Sequence, residues 1–167
     1  LCTKRDHVRL PIMGGVDDEE YAQDCYALVD QLHLENVIFT GRVDIISYME
    51  KLDFTILTSI SEGQPLSVLE SFAARRPCVT TDVGCCRELL DGNEEDCYGS
   101  VGYCVPPMYR EGLAQAMDQM CASRTRRLRM GANAQKRVKA YYRKEEMIEK
   151  YRKMYREVEE ADGRNRI

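Results

Sequence analysis

Ser59-Ile60-Ser61-Glu62-Gly63-Gln64-Pro65-Leu66-Ser67-Val68-Leu69-Glu70 decides how this chain is read. Phe54-Thr55-Ile56-Leu57, just before it, is an apolar run of strand length. Pro65 suits the first position of a helix, where a missing N–H needs no partner. The segment therefore reads as strand, glycine-containing turn and helix. Glu62 falls in the loop at the carboxyl end of the strand, and Glu70 falls about two turns along the helix. A helix start presents free backbone N–H groups that a phosphate can use. Carboxylates on either side of it suit polyhydroxy groups such as a sugar or a ribose.

The same alternation continues outward. Residues 8–13 read as a strand ended by Gly14-Gly15. Asp17 and Asp18 then cap a helix, with Tyr21, Cys25, Leu28 and Leu32 on one face at helical spacing. Residues 37–39 are a strand closed by Gly41, and residues 45–49 a short helix. Residues 66–74 continue the central helix, and 77–81 form the next strand. Asp82-Val83-Gly84 is a turn, 87–90 a brief helix and 91–100 a polar loop. Residues 101–105 are the last strand, ended by Pro106-Pro107. Helices over 111–121, 125–141 and 144–160 follow, and the tail, 161–167, reads as frayed.

Alternation at this period specifies an α/β fold, a Rossmann-like parallel sheet with helices on both faces. Such sheets bind ligands at the carboxyl ends of their strands. The loops there are Gly14-Gly15, Gly41-Arg42, residues 59–64, residues 82–86 and Val105-Pro106. Gly14-Gly15 lacks the G-x-G-x-x-G spacing of a dinucleotide loop, which argues against an oxidoreductase.

With 167 residues, 44% hydrophobic and 31% charged, the chain is long enough for one globular domain. A net charge of -4 gives no footprint for nucleic acid. No apolar run reaches membrane-spanning length and no signal peptide is visible, so the expected compartment is the cytoplasm. The eight cysteines include no C-x-x-C pair, and there are only two histidines, so a zinc site is not expected; no cofactor is expected either. Reduced thiols fit that compartment, with no disulfide between Cys85 and Cys86. The start at Leu1 suggests a piece of a longer protein.

An ordered set of motifs resembles glycosyltransferase family 4 of the GT-B superfamily. It comprises Ser61-Glu62-Gly63-Gln64-Pro65-Leu66, Leu69-Glu70, Thr81-Asp82-Val83-Gly84, Arg87-Glu88-Leu89-Leu90 and Val101-Gly102-Tyr103-Cys104-Val105-Pro106-Pro107. Tyr21-Ala22-Gln23-Asp24-Cys25, Phe39-Thr40-Gly41-Arg42-Val43-Asp44 and Cys86-Arg87-Glu88-Leu89 are similar, more narrowly, to Pel-type exopolysaccharide glycosyltransferases. The resemblance runs from about Leu10 to Tyr155 and implies the C-terminal, donor-binding half of a GT-B fold. It implies that Glu62 faces the donor sugar as a catalytic residue, and that Gly63, Gln64, Pro65 and Leu66 approach the sugar and diphosphate. By the same resemblance Gly41, Arg42 and Val43 lie against the base, and Glu70 holds the ribose. Charge-assisted hydrogen bonds from sugar hydroxyls to carboxylates are strong.

Two departures stand out. The Arg and Lys with which the family grips the diphosphate have no match, Lys4 and Arg5 lying in another context. Residues 1–160 thus read as one domain lacking its first strand and helix, with weak donor affinity expected. Arg75 also stands where the family has glycine after the helix. A left-handed backbone there costs Arg on the order of 1 kcal/mol.

The resulting expectation is a fragment of a retaining glycosyltransferase, inactive alone. It would pass a sugar from a nucleoside diphosphate donor, by resemblance a UDP-sugar, to a polysaccharide acceptor held by an N-terminal domain. A non-catalytic scaffold of a polysaccharide synthesis complex is the alternative. Glu88 reads as a helix-end charge or a second visitor to the site. Arg87 and the run over 124–129 read as solvated. The stripe Met147, Tyr151, Met154, Tyr155 and Val158 reads as core packing, or failing that as a surface for a missing domain.

Overall fold

The structure is a computed structural model that describes residue 5 and residues 7–164. Cys2, Lys4 and the last three residues of the expected tail lie outside the described residues. In chain order the elements are β1 (Leu10–Met13), α1 (Glu19–Gln31), β2 (Val37–Gly41), α2 (Ile45–Met49), β3 (Thr55–Leu57) and α3 (Leu66–Ala73). They continue with β4 (Cys78–Thr81), α4 (Cys86–Asp91), β5 (Gly102–Val105), α5 (Arg110–Ala122), α6 (Arg124–Tyr141) and α7 (Lys144–Arg164). Helix α7 therefore runs past residue 160, into the segment expected to fray.

The α/β alternation is present and all strand pairs are parallel, but they form two sheets, β1-β2 and β3-β4-β5. A doubly wound sheet has the order 3-2-1-4-5-6. Here β2-β1 fits the first two places and β3-β4-β5 the last three. No described strand fills the place that would join them, so β1 and β3 are both edge strands.

The core lies around β4, all of whose residues are buried. Side chains alternate across a strand, so Cys78 packs with Val68, Phe72, Leu89, Leu90, Val101 and Ala134, while Val79 packs with Ala116, Met120 and Met130. Burying a Phe or Leu contributes about 1.5–3 kcal/mol each, so this three-stranded unit holds most of the apolar stabilisation. Arg137 of α6 is also fully buried, and ties residues 89–99 to the helix.

Local signals operate as their chemistry dictates. Asp18 caps α1 by accepting from the Tyr21 amide, and Asp44 caps α2 by accepting from the Ser47 amide. After α3, Arg75 adopts φ 62°, and the amides of Arg75 and Arg76 bond back to Phe72 O and Ser71 O. That is a Schellman ending with arginine in the glycine place.

Three expectations need correction. Tyr21 and Leu28 on α1, and Leu32 at its C-cap, are exposed; the half-buried face is Ala22, Cys25, Tyr26 and Val29, with Tyr26 edge-on to Phe39 at 4.6 Å. A two-stranded sheet covers only one narrow side of the helix. The α7 stripe is not core either, since Met147, Tyr151, Met154, Tyr155 and Val158 are all exposed. Finally, Arg127 is not solvated. Its side chain, 14% exposed, donates to Met120 O and Cys121 O at 2.9 Å and pairs with Asp53 at 3.3 Å, closing the end of α5.

Candidate functional site

The β3–α3 loop carries the first candidate group. Glu62 is half-buried and accepts a hydrogen bond from Ser59 Oγ at 2.7 Å. Pro65, buried, is the N-cap of α3 rather than its first helical residue, with φ -70° and ψ 115°. The shift of one position is small but consequential. Proline has no hydroxyl or carboxylate with which to cap, so the first amides of α3 receive no side-chain acceptor. Val68, Ser71 and Phe72 face the core, which leaves Glu70 exposed on the other side of the helix. A bond of 2.7 Å between Thr55 Oγ1 and Ser71 Oγ fastens α3 to β3.

The β4–α4 turn lies against this loop. Thr81 Oγ1 donates to Ser59 O, and the Cys85 amide donates to Gly63 O at 3.0 Å. Arg87 pairs with Asp82 at 2.5 Å and with Asp91 at 3.8 Å. It is therefore ion-paired rather than simply solvated. Its side-chain hydrogen bond is the main reason the Asp82 carboxyl titrates below the usual range. Burial pushes the Cys104 thiol up to about 11 and Cys78 up to about 12, and raises Cys85 and Cys86 as well. At neutral pH these sulfurs are protonated, so none offers a thiolate. The seven described cysteines are free.

The second candidate group sits elsewhere. Gly41 ends β2 with φ 65°, and its carbonyl accepts from the Gly14 amide at 3.0 Å. Arg42 is exposed, with its side chain against Gly15, and Val43 is half-buried. Gly41, Arg42 and Val43 thus stand at the carboxyl end of the two-stranded sheet. Glu62, Gly63, Gln64, Pro65, Leu66 and Glu70 stand at the corresponding end of the three-stranded one. The structure brings Glu62 and Gly63 against residues 81–85, and Gly41 and Arg42 against Gly14 and Gly15. Glu88 is exposed on α4. Sequence reasoning placed Thr81 at the end of a strand and Gly84 in a turn, and missed their contact with the Glu62 loop. The recurrence of Thr81-Asp82-Val83-Gly84 among the family motifs was the signal.

Among the described residues no group of His, Cys, Asp or Glu is arranged to hold a metal ion, and no helix is long and apolar enough to cross a membrane.

The parallel strands with helices on both faces match solved structures of GT-B glycosyltransferases. The family described as glycosyl transferases group 1 matches residues 1–123, and the chain belongs to it. WbnH of Escherichia coli, an O-antigen biosynthesis glycosyltransferase, is 33% identical over 106 residues, which are 62% of this chain and 30% of that protein. Sucrose-phosphate synthase of Thermosynechococcus elongatus shares the fold with a TM-score of 0.80 at 24% identity, over 92% of this chain and 39% of that one. HepE of Anabaena, solved in complex with UDP, also gives 0.80, at 18% identity over 93% of this chain and 43% of that one. The chain spans less than half of each of these proteins.

Proposed function

We propose that this chain is the donor-binding domain of a retaining glycosyltransferase of family 4, closest to the Pel-type exopolysaccharide enzymes. The observation that carries the reading is the uncapped start of α3, with Glu62 fixed on one side of it and Glu70 exposed on the other. The first amides of α3 receive the diphosphate, as helix starts do. Glu62 accepts hydrogen bonds from the donor sugar hydroxyls, and Gly63, Gln64, Pro65 and Leu66 bring backbone close to sugar and phosphate. Glu70 holds the ribose, and Gly41, Arg42 and Val43 lie beside the base. Charge developing on the leaving diphosphate meets dipoles that are already in place, so little reorganisation is needed during transfer.

UDP is the nucleotide, a choice supported by the HepE complexes with UDP and with UDP-glucose. The sugar passes to a polysaccharide, a reading supported by the O-antigen role in the name of WbnH. The place between β1 and β3 belongs to the first strand of the domain, which with its helix lies upstream of residues 1–160, and the acceptor is held by a further N-terminal domain. The isolated chain therefore transfers no sugar. The enzyme works in the cytoplasm, where nucleotide sugars are made.

Calorimetric titration of the chain with UDP, and with ADP and GDP as controls, tests this reading. Saturable heat with UDP and a weaker response to the other two is the expected result. Equal or absent responses to all three would contradict it.

A further inference from the structure

The proposed donor carboxylate does not stand alone on its loop, because the neighbouring β4–α4 turn meets that loop at three points. Thr81, only 4% exposed, donates from Oγ1 to Ser59 O at 2.5 Å. Ser59 in turn donates from its own hydroxyl to Glu62 Oε1 at 2.7 Å. The Cys85 amide donates to Gly63 O at 3.0 Å. Between these bonds lies Gly84, with φ 53°. A Cβ on Gly84 would run into the carbonyl oxygens of both Glu62 and Gly63, which are backbone atoms and have no rotamer by which to step aside.

We propose that Thr81 and Gly84 are positioning residues for Glu62: through Ser59 and the Glu62-Gly63 peptide they fix the direction in which that carboxylate meets the donor. The inference rests on the donor reading of Glu62. Its physical basis is the contrast between the two sides of the contact. Strand β4 is buried along its length and packed from both faces, whereas Glu62 sits on a loop between exposed Ser61 and Gly63. A loop carboxylate left to itself samples several rotamers, and each productive encounter then includes the entropy of choosing one. Coupling it to this fully buried strand makes that choice in advance, which is the arrangement a site needs to hold its geometry. Glycine at position 84 serves two needs together, since it adopts positive φ without strain and lets two carbonyl oxygens approach its α-carbon.

The test compares Thr81→Val, which keeps the shape and loses the hydroxyl, with Thr81→Ser, which keeps the hydroxyl, and adds Gly84→Ala. Two quantities are read on each chain: hydrogen exchange of the Cys85 amide under native conditions, and the Kd for UDP-glucose, which unlike UDP carries the sugar that Glu62 meets. Thr81→Val is expected to speed Cys85 exchange by about tenfold without a matching rise across β4 and β5. The same variant should weaken UDP-glucose by about tenfold, the scale of one hydrogen bond, and leave the Kd for UDP nearly unchanged. Thr81→Ser should restore both, and Gly84→Ala should reproduce the Thr81→Val effects. A purely structural role would instead speed exchange throughout the sheet and leave the Kd of the folded fraction unchanged. Unaltered exchange and Kd in Thr81→Val, or failure of Thr81→Ser to restore them, would overturn the proposal. Absence of UDP-glucose binding in the unaltered chain would overturn the donor reading and the positioning role with it; the exchange rates would still report whether the turn fixes the loop as a structural contact.

Discussion

Arg137 on α6 holds both carboxylate oxygens of Asp96, through Nε at 2.5 Å and through Nη2 at 3.0 Å, in a place where the two side chains are 0% and 2% exposed. The remaining guanidinium donors go to the carbonyls of Leu89, Leu90 and Gly99 at 2.7–3.1 Å. A buried pair of charges is tolerable only when such additional bonds satisfy it. The loop expected to be merely polar is thereby fixed to the core between α4 and β5.

Removing one partner leaves the other charge buried and unpaired. Arg137→Met is therefore expected to lower stability by about 3–5 kcal/mol. Urea denaturation followed by circular dichroism reads this directly. A loss below about 1 kcal/mol would show that the pair contributes little beyond what a surface ion pair does.

The pair also gives stability a dependence on acid. Burial pushes the Asp96 carboxyl up, but the bonds from Arg137 and the Tyr98 amide, with the Arg137 charge, outweigh it and leave the group below the ordinary range. A carboxyl depressed on folding stabilises the native state above its unfolded value, about 3.9, and that stabilisation is lost as pH falls through the lower folded value. The melting temperature should accordingly drop with acidification below about pH 4. In Asp96→Asn the chain is less stable at neutral pH and this part of the acid dependence disappears. An unchanged acid profile in that variant would assign the dependence to other carboxylates.

Arg75 occupies a left-handed position, φ 62°, at the end of α3. Glycine adopts that conformation without the penalty a side chain meets. Arg75→Gly is expected to stabilise the chain by about 1 kcal/mol, raising the melting temperature by about 2–4 °C for a domain of this size. A thermal melt of the two chains checks the sign, and a lower melting temperature would show that the Arg75 side chain contributes more than its backbone costs.

What the sequence made legible was local. Residues 45–49 fold as the helix their pattern indicates, Asp18 caps α1, and Glu62 and Glu70 fall in the loop and the helix where the strand-turn-helix reading places them. Arg75 adopts the strained backbone that its place after a helix predicts. What stayed hidden depends on partners far along the chain. Nothing near Arg137 distinguishes a buried cation from a solvated one, and its anion is 41 residues away. Arg127 hides in the same way within a run of exposed charge. The stripes on α1 and α7 announce apolar faces, but periodicity does not tell which element, if any, covers them. The division into two sheets escapes the pattern because alternation gives the sequence of strands and not their neighbours.

The central claim is that the start of α3 is the donor site, and residue-resolved amide shifts during a UDP titration test it most directly. The account predicts shifts confined to Glu62, Gly63, Gln64, Leu66 and Glu70, with Gly41, Arg42 and Val43 responding to the base, and a much weaker response throughout in Glu70→Gln. Shifts centred elsewhere on the domain, or none at saturating UDP, would contradict it.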